Sequence, residues 1–140
     1  MCGEIDIMES VNGANRDYGT YHCGTLPGGP CNEPTGLSHN SVCPGSTCQG
    51  NFHTYRLLVD RSKSPESLTW FVDGKETGKL LSYSVPPAVW IQTIHKPHFI
   101  LLNLAMGGAF PNALAGRDTP TAQTVPGGKY QIGYVAVYNT

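Results

Sequence analysis

Runs of five to nine residues rich in β-branched, aliphatic and aromatic side chains recur along this chain, and none carries a helical period. Each run is bounded by residues that favour turns, chiefly Gly, Pro, Asn and Asp. Residues 5–10, 18–22, 52–60, 67–72, 75–81, 98–104 and 130–138 read as strands. Asp73-Gly74 is a hairpin-turn dipeptide joining the fourth strand to the fifth. Short strands separated by turn signals specify an all-β sandwich. Between them, residues 24–49 form a Gly/Pro/Cys/Asn loop far longer than usual, which predicts a functional or disulfide-pinned segment. Pro86-Pro87 breaks the chain, residues 89–93 are a short helical or extended link, and residues 107–124 are another loop. The long apolar run at 98–104 predicts a strand buried on both faces. There is no internal repeat.

A chain of 140 residues is one domain at most. Its net charge of -1 gives no electrostatic case for nucleic acid or an anionic membrane as partner. No apolar run approaches the ~20 residues of a membrane-spanning helix. The chain is read as a monomer.

Four of the five Cys fall between Cys23 and Cys48, the usage of an oxidising compartment. Loop-stapling disulfides explain them better than a metal: Cys23-x7-Cys31 and Cys43-x4-Cys48 lack zinc-ligand spacing, and no His pair is suitably placed. The odd count leaves one Cys without an intrachain partner, and Cys2 is the candidate; the pairing of the others stays open. Met1 runs straight into Cys-Gly-Glu, with no signal peptide. A secreted-type Cys pattern without a signal predicts a fragment whose Met1 was internal.

The chemistry concentrates in Glu4-Ile5-Asp6-Ile7-Met8-Glu9, three acids within an apolar strand. Charged carboxylates among Ile and Met are costly, so the run needs a reason. On a strand, Glu4 and Asp6 share a face and Glu9 takes the other. A β-bulge at Ile7-Met8 would turn Glu9 onto the first face, leaving Ile5 and Ile7 toward the core. Three carboxylates on one face suit glycoside hydrolysis, in which a retaining pair stands ~5–5.5 Å apart. A line of three carboxylates lacks the loop geometry calcium uses, and no metal or cofactor is expected. By itself the motif is explained equally well as a solvated acidic strand face.

Gly3-Glu4-Ile5-Asp6-Ile7-Met8-Glu9 resembles the catalytic signature of glycoside hydrolase family 16, the laminarinase/lichenase-like retaining β-glucanases. Thr20-Tyr21-His22-Cys23-Gly24, Phe52-His53-Thr54-Tyr55, Trp70-Phe71-Val72-Asp73-Gly74, the block from Phe99 to Gly108, and Tyr134-Val135-Ala136-Val137-Tyr138 resemble later blocks in order. The resemblance implies a concanavalin-like β-jelly-roll sandwich with a glucan cleft on its concave sheet. It implies Glu4 as nucleophile, Asp6 as its assisting acid and Glu9 as general acid/base, with Thr20 and His22 lining the cleft. It also implies that Asn103 touches substrate, while Ala105 stands where the lichenase branch carries an aromatic. His53 is read as structural at least as readily as functional, and Trp70, Trp90 and the Tyr set as core and rim. The family has strands before its signature, so residues 1–140 would be the C-terminal part of a catalytic domain. Family members are extracellular. The implied reaction is retaining endo-hydrolysis of β-1,3 or mixed β-1,3/1,4 glucans. The alternatives are a non-catalytic glucan-binding remnant and a cell-wall transglycosylase.

Overall fold

The computed structural model describes residues 3–139, so Cys2 lies outside the described residues. The chain divides into two compact units, Met1–His98 and Phe99–Thr140.

The first unit contains two three-stranded antiparallel sheets, in the orders β1-β2-β3 and β4-β5-β6. The strands are β1 (Glu4–Glu9), β2 (Asp17–His22), β3 (Leu37–Ser41), β4 (Tyr55–Asp60), β5 (Ser67–Val72) and β6 (Lys75–Leu81). A 3₁₀ turn (Ser82–Ser84) leads to helix α1 (Pro87–Ile94). The β5–β6 hairpin forms as expected. Val72 pairs with Lys75. Asp73 and Gly74 take φ of 49° and 80°, the two positive values a type I′ turn requires. β4 begins three residues later than expected because Thr54 and His53 serve that turn instead. The Thr54 N–H donates to Asp73 Oδ1 at 2.8 Å, and His53 Nδ1 lies 2.6 Å from Asp73 Oδ2.

β3 stands inside the stretch predicted to be loop. Its sequence Leu-Ser-His-Asn-Ser has little intrinsic strand preference. It is made by its partner, pairing from Tyr21↔Leu37 to Asp17↔Ser41. Two disulfides, Cys23–Cys31 and Cys43–Cys48, pin the long loop on either side of it.

The main core gathers Tyr21 and Ile5 from one sheet with Leu68, Trp70 and Leu57 from the other, closed by Val85, Trp90 and Ile94. α1 starts on Pro87, where the missing N–H costs nothing, and buries Trp90, Thr93 and Ile94 as an i, i+3, i+4 stripe. The Tyr21 and Thr93 hydroxyls meet at 2.5 Å, and Trp90 Nε1 donates to Glu66 at 2.7 Å, so these core polar groups are satisfied. Trp70 and Trp90 are core residues.

The second unit holds one helix, α2 (Ala109–Ala115), which ends on Gly116 in the left-handed conformation. Thr119 donates to Asn112 Oδ1 through both its N–H and its hydroxyl, each at 2.7 Å. The strands expected at 98–104 and 130–138 do not form: both segments are exposed and lack ladder pairing. An apolar pattern expresses a preference for burial, but a strand exists only through a neighbour that takes its N–H and C=O groups. Among the described residues neither segment has such a neighbour. No helix among the described residues is long and apolar enough to cross a membrane.

Candidate active site

The site is built on the pairing of β1 with β2. Glu4 lies opposite His22, Asp6 opposite Thr20, and Glu9 opposite Tyr18. From Asp6 to Glu9 the chain advances three residues, while its partner advances two, from Thr20 to Tyr18. One extra residue is therefore inserted at Ile7-Met8, the predicted bulge, and it brings Glu9 onto the face of Glu4 and Asp6. Tyr18, Thr20 and His22 line the same face from β2. Ile5 packs on the core as expected, but Ile7 remains 40% exposed. The bulge interrupts the alternation that would have buried it.

From behind, Trp70 Nε1 donates to the backbone carbonyl of Asp6 at 2.9 Å, tying the acidic strand to the opposite sheet. Around the bulge, the buried carboxyl of Asp17 accepts the backbone N–H of Glu9, and its Oδ1 has no hydrogen-bond partner among the described residues. Thr20 is buried, and its hydroxyl donates to Glu9 Oε2 at 3.3 Å and lies 3.0 Å from Ser38 Oγ. His22 bridges two carboxylates. Its Nε2 is 3.4 Å from Asp6 Oδ2 and its Nδ1 is 2.7 Å from Glu33 Oε2. Glu33 Oε1 accepts the Cys23 N–H at 3.0 Å.

Burial first, then the charges of Glu9 and Glu4, pushes Asp6 up to about 7; His22 opposes the shift, and a hydrogen bond to Glu4 adds to it. Two hydrogen-bonded carboxyls need a proton between them, so Asp6 serves Glu4 as a donor below about 7. Burial likewise raises Glu9, against the Thr20 hydrogen bond and the charge of His22. Burial lowers His22, but the Glu33 hydrogen bond and the charges of Glu33, Asp6 and Glu4 outweigh it and leave it raised. The face thus combines buried carboxyls, Asp6 and Glu9, that hold their protons more tightly than usual with a basic ring that offsets their mutual repulsion.

Of the residues singled out in the sequence, Glu4, Asp6, Glu9, Thr20 and His22 come together here. Asn103 lies in the second unit, exposed and outside any strand or helix. His53 makes structural contacts, holding the β5–β6 turn through Asp73 and the second disulfide loop through the Thr47 carbonyl at 3.0 Å. Sequence reasoning missed Glu33 and Asp17. The length of the loop was the only hint for Glu33, and nothing in the sequence marks an Asp ahead of a strand as a support for a bulge in its neighbour.

No protein-family model matches the chain. It is 30% identical over 146 residues to glucan endo-1,3-beta-glucosidase A1 of Niallia circulans, covering 97% of this chain and 19% of that protein. It is 27% identical over 141 residues to keratan-sulfate endo-1,4-beta-galactosidase of Sphingobacterium multivorum, covering 98% of this chain and 28% of that protein. Among solved structures, the endo-1,3-beta-glucanase of Streptomyces sioyaensis superposes with a TM-score of 0.84 at 45% identity, over 89% of this chain and 44% of that one. The chain therefore spans less than half the length of each of these relatives. The two antiparallel sheets are consistent with the expected jelly-roll sandwich. The chain is homologous to endo-1,3-β-glucanases, in agreement with the glycoside hydrolase family 16 resemblance of its sequence.

Proposed function

We propose that this chain carries the catalytic face of a retaining endo-β-glucanase that cleaves β-1,3 or mixed β-1,3/1,4 glucans outside the cell. The observation that carries the reading is the bulge at Ile7-Met8, which places Glu9 on the face of Glu4 and Asp6. Glu9, whose proton burial holds more tightly than usual, protonates the departing glycosidic oxygen. Glu4 attacks the anomeric carbon, and the glycosidic bond breaks as the glycosyl-enzyme ester forms. Asp6 donates its hydrogen bond to Glu4 and so fixes the attacking oxygen. Glu9, now a carboxylate, takes a proton from the incoming water, which displaces Glu4 from the sugar with net retention. The names of two relatives, a glucan endo-1,3-beta-glucosidase and an endo-1,3-beta-glucanase, support a glucan in preference to the keratan sulfate named for the third.

The test is Glu4→Gln, assayed for reducing ends released from laminarin and lichenan. Hydrolysis should fall at least a thousand-fold while binding to the polysaccharide persists. Undiminished turnover would defeat the assignment of Glu4. Binding by the unsubstituted chain without sugar release would favour the glucan-binding alternative, and products longer than the donor would favour transglycosylation.

A further inference from the structure

Glu33 spends its whole carboxylate on the acidic face without belonging to it. Its side chain is only 9% exposed, and each oxygen has a separate partner: the ring of His22 for Oε2 and the Cys23 N–H for Oε1. A carboxylate committed on both oxygens cannot rotate. Its backbone is equally fixed, because Gly28 and Glu33 exchange two N–H···O bonds of 2.6 Å across the loop closed by Cys23–Cys31. Two glycines admit the arrangement. A Cβ on Gly24 would lie 3.2 Å from Glu33 Cγ, and one on Gly36 would lie 2.8 Å from His22 Cε1. Burying a carboxylate this thoroughly is costly unless its hydrogen bonds are needed.

His22 is the group that needs them. An imidazole turns readily about its terminal torsion, and which nitrogen bears the proton is decided by the partner of the other. Asp6 alone, 3.4 Å from Nε2, is too distant to choose. We propose that Glu33 is a positioning residue: it holds the Nδ1–H of His22, and thereby fixes Nε2–H against Asp6 within the carboxyl cluster. The groups facing the ring are Asp6, Glu4 and Glu9 from β1 and Glu33 from the loop. With Glu33 in place, the ring keeps its charge to higher pH beside Asp6 and Glu9 and offsets part of the repulsion that raises both. Without it, the ring loses its strongest partner, goes neutral at lower pH, and its neighbours hold their protons to higher pH. This role rests on the glucanase reading only for its effect on turnover.

The experiment is a ring-nitrogen NMR titration of His22 in the full chain, for the unsubstituted protein, Glu33→Gln and Glu33→Ala, with laminarin hydrolysis followed across the same pH range. The unsubstituted protein should show Nδ1 protonated throughout, including after the ring becomes neutral. In Glu33→Gln the His22 midpoint should fall by about one to two pH units, the effect of losing one charge-assisted hydrogen bond. The alkaline limb of hydrolysis, set by the proton that Glu9 must carry, should move to higher pH, and kcat at the optimum should fall more than KM rises. Two results would overturn the proposal: a neutral ring protonated only on Nε2 in the unsubstituted protein, which needs no variant to fold, or an unshifted midpoint in variants that retain native circular dichroism. Absence of hydrolysis with the midpoint shift intact would count against the glucanase reading and leave the role of Glu33 standing. Hydrolysis with no midpoint shift would do the reverse.

Discussion

Replacing Asp17 with Asn removes a titrating group from beside the acidic strand while leaving its shape almost unchanged. Asp17 is 3% exposed, and its carboxyl is pushed from 3.8 up to about 7, by burial first and by the charge of Glu9 second. The Glu9 N–H and His53 act in the opposite direction. About three pH units at ~1.36 kcal/mol each amount to ~4 kcal/mol. The sign follows from proton binding. Between 3.8 and about 7 the folded chain keeps a proton that the unfolded chain has released. The stability linked to Asp17 is therefore fully present below 3.8, declines as pH rises through that window, and is gone above about 7. Asn keeps a carbonyl for the Glu9 N–H but places an amide where Oδ1 has no partner, a pH-independent cost of ~1–3 kcal/mol. The variant should consequently be the less stable at pH 4 and gain on the unsubstituted protein by ~4 kcal/mol by pH 8. Urea unfolding followed by tryptophan fluorescence measures this, since Trp70 and Trp90 both lie buried in the Met1–His98 unit. Parallel stability curves for the two proteins from pH 4 to 8 would refute the argument, whatever the offset between them.

Gly36→Ala should cost ~2–4 kcal/mol, combining the strain of a side chain at φ +70 with overlap against the His22 ring, and should displace the His22 NMR resonances. An unchanged melting temperature would contradict it. Asp73→Asn keeps a residue that tolerates φ 49° in the turn but discharges the partner of His53. The Asp73 hydrogen bond, acting against burial, raises His53 above 6.5, so that contribution is present below 6.5 and lost as pH rises through the folded value. The same bond lowers Asp73 below 3.8, so that contribution is present above 3.8 and lost as pH falls through the folded value. The loss in Asp73→Asn should thus be greatest near pH 5.5, and only ~1 kcal/mol because the Asp73 side chain is 36% exposed. A thermal melt showing the same loss at pH 5.5 and pH 9 would count against the pairing.

Much of the acidic face was legible because it depends on short-range rules. Strand alternation puts Glu4 and Asp6 together, and the odd spacing of Glu9 calls for one inserted residue, which the register supplies between Asp6 and Glu9. The Asp73-Gly74 turn was legible for the same reason, since its backbone conformation selects its residues. Glu33 was not legible. It reaches His22 only because a disulfide and a two-bond bridge fold the long loop back, and both are contacts that no local pattern encodes.

By itself, then, the sequence determined the all-β class, the β5–β6 hairpin and the grouping of three carboxyls around a bulge, because dihedral preference and side-chain alternation act within a few residues. Tertiary structure alone decided the rest. Leu37–Ser41 is a strand despite a composition that argues against it, because β2 offers it a ladder. The apolar segments at 98–104 and 130–138 are not strands despite a composition that argues for them, because nothing among the described residues pairs with them. Backbone hydrogen bonds need a partner in space, and which partner arrives is settled by the fold as a whole.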